Sequence, residues 1–259
     1  MKKILFAAVF AIFASTQAFA IIGVGAHYIM NTGSLKGSNG DISIPLFGDI
    51  GVNQHKADGL QGLGFKLWLD FLPAVDIEGT FNITATRYQT SLTFADTTIY
   101  LEYSPEAPYN MIFDKASPIY GIATGDLSIT YPITDLPIIR PYIGAGLSYF
   151  ASIPIVNKNF AEKVIINSMN SISIDPTDPN FDPTNLEDVT AQLSDAVVKT
   201  LKDTDYETGF GAHIIVGARF KLPVIPIAAY ANAKRYFGGN TSSQFSQGFV
   251  FELGGGFAL

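Results

Sequence analysis

Residues 207 to 222 hold seven greasy positions in one register: Phe210, Ala212, Ile214, Val216, Ala218, Phe220 and Leu222 interleave with Gly209, Gly211, His213, Gly217, Arg219 and Lys221. A period of two marks an extended strand with one greasy face. The pattern recurs near Ile22 to Met30, Leu63 to Phe71, Val75 to Thr84, Gly121 to Tyr131, Arg140 to Ala151 and Ile227 to Phe237, and again in the last residues, Phe249 to Leu259. The Ile227 segment is the weaker case, because Tyr230 falls on the face that carries Asn232 and Lys234. No helix pattern or second sheet in the sequence would cover so many greasy strand faces, so hydrocarbon is the expected cover.

The connections divide into two classes. Leu72 to Ala74, Pro132 to Ile138 and Pro223 to Pro226 are short and carry proline, whereas 32–60, 87–119 and 152–206 are long and polar. Short and long alternate along the chain, apart from a brief last connection at 238–246. This predicts an all-β, closed antiparallel up-and-down transmembrane barrel of eight strands, with the long connections extracellular. Residues Thr97 to Tyr103 also alternate, and predict a hairpin extension above the membrane. The alternative is a ten-stranded barrel, which needs another membrane-length partner between Tyr109 and Ser117.

The ends of the chain add direction. Lys2 and Lys3 precede an apolar run from Ile4 to Phe13 and then Ala18-Phe19-Ala20, the parts of a secretory signal peptide cleaved after Ala20. Residues 1–20 are thus the expected leader and 21–259 the expected barrel domain. Cysteine is absent, which leaves neither disulfides nor a lipid-bearing thiol as an anchor. A net charge of -7 argues against nucleic acid, since neutralising phosphates takes a basic surface.

The closing segment places Phe249, Phe251, Leu253, Phe257 and Leu259 at alternate positions, with Gly255 interrupting the row and Leu in place of a terminal aromatic. With the strand count and loop alternation, this resembles the small eight-stranded outer-membrane barrels, the group of the OmpA transmembrane domain, OmpX and OmpW. The resemblance covers nearly all of the mature chain. It implies a bacterial outer-membrane location, contact with outer-membrane lipid and lipopolysaccharide, and insertion by the barrel-assembly machinery, which reads such a terminal signal. It implies no particular activity, because the architecture hosts many functions.

Parity sends Lys66, Asp70, Asp76, Glu78, Asp126, His213, Arg219, Lys221 and Glu252 inward. An eight-stranded barrel has room only for side chains to fill it, so opposite charges there are expected to pair into a polar network. Arg140 or Lys221 would neutralise Asp76 and Glu78. Inward glycines such as Gly144, Gly146, Gly209 and Gly211 could instead leave a path. His27 and His213 point inward without the spacing of a nucleophile or metal site, and a hydrogen-bonded filler is the simpler reading of each. Trp68 falls inward by parity, which the pattern alone does not explain.

Two loop features remain. Asp175, Asp178 and Asp182, each followed by proline, are candidate cation ligands, although a proline-stiffened turn series accounts for them as well. Thr184 and Glu187 form a capping-box pattern, and Leu186, Val189, Leu193, Val197 and Leu201 recur at helical spacing, predicting a short amphipathic helix over 184–202. No cofactor and no catalytic residue is expected. The function expected is a structural or surface-interaction role, with an extracellular protein or small hydrophobic ligand as partner. Alternatives are a narrow passage for a small or hydrophobic solute, a barrel-borne hydrolase, or a soluble secreted ligand-binding barrel with its faces reversed.

Overall fold

The computed structural model describes residues 22–44, 48–70, 74–94, 97–101, 118–134, 138–153, 155, 157–163, 200, 206–221, 225–239 and 242–258. The leader with its cleavage after Ala20, the candidate ligands Asp175, Asp178 and Asp182, the predicted helix apart from Thr200, and Leu259 lie outside the described residues.

Eight long strands close on themselves. They are β1 (Ile22–Leu35), β4 (Ala57–Leu69), β5 (Asp76–Arg87), β8 (Ile119–Pro132), β9 (Ile139–Ser152), β10 (Glu207–Lys221), β11 (Ile227–Gly238) and β13 (Phe249–Ala258). The order runs β1-β13-β11-β10-β9-β8-β5-β4, and β4 returns to β1 through pairs from Ile22↔Leu69 to Leu35↔Ala57, so the ring has no edge. All of these pairings are antiparallel. A strand of about 9–11 residues crosses a bilayer; β1, β8 and β9 run to 14 residues and β10 to 15, so the cylinder continues beyond hydrocarbon.

A second sheet stands beyond the ring at the end away from Ala258. Its order is β2 (Ser38–Ile44), β3 (Gly48–Gln54), β6 (Thr90–Phe94) and β7 (Thr97–Leu101). The spans 32–60 and 87–119, expected as loops, therefore hold strands of their own. Each is only five to seven residues long; β7 lies in the alternating segment Thr97 to Tyr103, expected as part of a hairpin extension, while β2, β3 and β6 are too short for a period to stand out against polar surroundings. Ile42 and Val52 are buried on one face, and Asp41, Ser43 and Asp49 are exposed on the other. Residues 97–101 pair with β6 and not with the ring, so the barrel has eight strands and not ten. A helical turn over 158–163, which the sequence pattern did not predict, packs Phe160 beneath the outer connections.

The two faces of the ring are chemically opposite. Outward residues such as Leu63, Phe65, Leu127, Ile214 and Leu253 are exposed, the last at 67%, while inward Trp68, Lys66, Glu78 and Glu252 are buried to 1% or less. Residues Tyr28, Tyr149 and Phe210 mark the outer end of the exposed apolar surface, and Tyr131, Phe220 and Phe257 its other end.

What fits inside is decided by glycine. A Cβ at Gly23 would lie inside the Trp68 indole, and one at Gly64 would overlap the His27 ring. A Cβ at Gly146 would come within 2.6 Å of His213 and one at Gly25 within 3.0 Å of Tyr230. These four inward glycines are thus sockets for rings carried by other strands, whereas Gly144, Gly209 and Gly211 lie against neighbouring backbone. Towards the second sheet the filling turns greasy: Ile29, Tyr120, Ile122, Phe150, Phe245 and Val250 belong to one buried cluster. Inward positions of the outer half thus combine this apolar cluster with buried hydroxyls of Thr84, Thr124 and Ser152.

Filling the Gly23 socket with Gly23→Val should destabilise the barrel by about 1–3 kcal/mol, the usual cost of overpacking. Gly79→Val, where a Cβ meets nothing within 4 Å, should stay within about 0.5 kcal/mol of the parent. Urea unfolding in detergent or lipid, followed by the heat-modifiable gel shift, measures both.

Candidate functional site

The charged half of the lumen is one connected network. At the end near the chain termini, Arg219 Nη1 forks onto Asp70 at 2.8 and 3.0 Å while its Nη2 donates to Glu78 Oε1 at 2.6 Å. Arg140 sits 3.1 Å from Asp76 and 3.7 Å from Asp70. Deeper in, Lys66 Nζ lies 2.5 Å from Glu78 Oε2 and donates to the Tyr142 hydroxyl at 3.1 Å. Tyr142 in turn hydrogen-bonds Asn232 Oδ1.

At mid-height Lys234 Nζ bridges two carboxylates from opposite walls, Asp126 at 2.8 Å and Glu252 at 2.7 Å. Glu252 also accepts from Asn82 at 3.0 Å and Asn232 at 2.9 Å, and Asp126 accepts from the Tyr236 hydroxyl at 2.9 Å. A buried ion stays tolerable only when its remaining lone pairs and protons are met in this way. Strand parity explains the placement: Lys66, Glu78, Asp126, Lys234 and Glu252 each occupy an inward position of a different strand.

The sequence-derived inward set therefore meets in space, with one change of partner. Glu78 is met by Lys66 and Arg219, and Asp76 by Arg140; Lys221 lies half-buried at the rim. Four residues central to the network, Asn82, Tyr142, Asn232 and Tyr236, were not among the expected site residues, although each lies at an inward parity position. Trp68 also has its explanation. Its ring fills the Gly23 socket, carries the Arg219 guanidinium 5.0 Å from its centroid, and meets Tyr230 edge-on at 5.9 Å.

Both inward histidines are held by neutral partners. His27 contacts the Tyr230 hydroxyl at 3.0 Å and Asn82 Oδ1 at 2.8 Å. His213 lies between Ser128 at 2.8 Å and Ser148 at 2.7 Å, with Asp126 3.9 Å away. The serine-histidine-aspartate composition invites comparison with a hydrolase, but all four side chains are buried and the lumen offers a substrate no room. Among the described residues no group of three or more His, Asp or Glu could hold a metal ion.

Above the network lies a cavity of about 20 Å³ among Ile29, Thr84, Phe150, Tyr236, Phe245 and Val250. Such a volume holds roughly one water molecule. The connection between β11 and β13 closes it. Lys36 N donates to the Gln244 carbonyl at 2.8 Å, two residues of β12 (Phe245–Ser246) pair with β1, and the Phe245 ring sits 5.4 Å from that of Tyr120.

A closed ring of eight strands, greasy outside and ionic within, decides the class. The architecture is that of the small outer-membrane β-barrels. Among solved structures the chain is similar to OprG, an outer membrane protein of Pseudomonas aeruginosa, at 10% identity over 91% of this chain and 94% of that one, with a TM-score of 0.43. It is also similar to Ail, the attachment invasion locus protein of Yersinia pestis, at 9% identity over 91% and 96% with a TM-score of 0.38. The outer membrane protease OmpT of Escherichia coli follows at 9% identity over 92% and 97%, with a TM-score of 0.26. No protein-family model and no curated protein matches the sequence.

Lys234→Met would leave Asp126 and Glu252 facing each other without their cation. We expect a loss of about 3–5 kcal/mol, the cost of orphaning buried charge, read from urea unfolding in lipid. Adding Asp126→Asn and Glu252→Gln should recover part of it.

Proposed function

We propose that the protein is an integral barrel of the bacterial outer membrane, closed to solutes, whose task is to present its outer sheet at the cell surface. One observation carries this reading. Among the described residues, paired ions fill one half of the lumen and the Phe245-capped apolar cluster fills the other, and the cavity above the ions holds only about 20 Å³. Of the glycines that would have opened a passage, Gly146 receives the ring of His213 and Gly144 is crowded by Thr130.

The membrane assignment is supported by the sign of the two faces. A soluble barrel would carry Lys66, Glu78, Lys234 and Glu252 to water, whereas here they are enclosed and Leu63, Phe65, Leu127 and Leu253 are left outside. A patch of that size does not survive on a soluble monomer. Export by the leader and insertion by the barrel-assembly machinery belong to the same reading. The surface role is directed at an extracellular protein partner, because the outer sheet beyond the ring exposes a polar face with Asp41 and Asp49.

In planar bilayers the purified full-length protein should give no steady conductance step. Reproducible long-lived openings of the unmodified chain would overturn the closed reading.

A further inference from the structure

The outward face of β11 is unlike the rest of the belt. Ala229, Ala231 and Ala233 form its floor, and the strands on either side raise Ile214 and Val216 from β10 and Phe251 and Leu253 from β13. At the head of this furrow, on the end away from the termini, stands Arg235, level with Ile214 and Phe249. Its guanidinium is held by two contacts: Nη1 donates to the Gln247 carbonyl at 3.1 Å, and the Phe249 ring centroid lies 5.2 Å from Cζ. A guanidinium has five N–H donors, and one hydrogen bond to a carbonyl leaves its charge without a counter-anion among the described residues. Every other outward residue of the strand from Ile227 to Phe237 is apolar.

We propose that Arg235 and the alanine furrow form a lipid site on the barrel wall, taking a phosphate-bearing lipid of the outer leaflet with its phosphate on Arg235 and an acyl chain along Ala233, Ala231 and Ala229. The proposal rests on the membrane reading given above. Three observations select this occupant. The cation stands one outward position before Phe237, the last outward side chain of β11, and so close to the outer end of the strand, towards the level at which headgroup phosphates lie. Arginine's planar fork matches phosphate oxygens and is pre-set here by Gln247 and Phe249. The furrow beneath offers only hydrocarbon, so a free anion would use the head of the site and leave its length empty.

The test is native mass spectrometry of the full-length protein released from dodecyl maltoside micelles and titrated with diphosphoryl lipid A. The parent should retain one lipid A, Arg235→Gln should weaken retention on the order of tenfold, and Arg235→Lys should fall between them. Ala231→Leu, which fills the furrow and leaves the cation, should also weaken retention of lipid A. The heat-modifiable gel shift on the same samples reports that each variant is folded. Equal retention by the parent and Arg235→Gln overturns the site, and so does inorganic phosphate that displaces lipid A at comparable concentration. A protein that stays monodisperse without detergent overturns the membrane reading itself, before any lipid is added.

Discussion

Eight strands enclose a cylinder too narrow to hold a large side chain at every inward position, and the rest of this structure depends on how that shortage of space is met. Several inward rings lie over a glycine of another strand, Trp68 over Gly23 and His213 over Gly146 among them. The charges follow the same rule. They are brought so close that each must have a partner of opposite sign, and Lys234 meets this by serving two carboxylates at once. Packing and electrostatics are therefore one constraint seen twice: a residue large enough to fill the lumen is tolerated only where a neighbour yields room and supplies a counter-group.

That constraint divides the interior along its length. Near the chain termini Arg140, Arg219 and Lys66 meet Asp70, Asp76 and Glu78, while towards the outer sheet Tyr120, Phe150 and Phe245 exclude water by packing alone. The second sheet extends this greasy half beyond the bilayer, where its own polar face can meet water. Anchor and surface element are consequently continuous, with β1 and β4 paired as far as Leu35 and Ala57, just short of the first residues of β2.

Much of this was legible in the sequence, for a physical reason. A strand with lipid on one side and a packed lumen on the other leaves a period of two, so all eight ring strands could be found, and Lys66, Glu78, Asp126 and Glu252 could be assigned inward from parity. Strands β1 and β4 nevertheless run on at their outer ends to Leu35 and Ala57, beyond the segments Ile22 to Met30 and Leu63 to Phe71. Partner choice was not legible, because parity fixes a face and says nothing of height. Glu78 thus meets Lys66 and Arg219 where Arg140 or Lys221 had been expected. The short strands β2, β3 and β6 escaped because polar turns lie on both sides of them, whereas β7 falls within the alternating segment Thr97 to Tyr103. The glycines misled for a related reason: a missing side chain in one strand reads as empty space until the ring that occupies it is seen to come from another.

The join between the first and last strands draws these points together. Gly23, Gly25 and Ala26 of β1 face Ala258, Gly256 and Gly255 of β13, so the two backbones meet with almost nothing between them. Sliding one past the other by a single residue would turn every side chain to the wrong face, bringing Phe257 towards the Trp68 and Tyr230 rings and turning Glu252 out to hydrocarbon. Bare backbones can approach freely, yet only one alignment lets the rings drop home. The barrel's last act of assembly is in this sense proofread by shape.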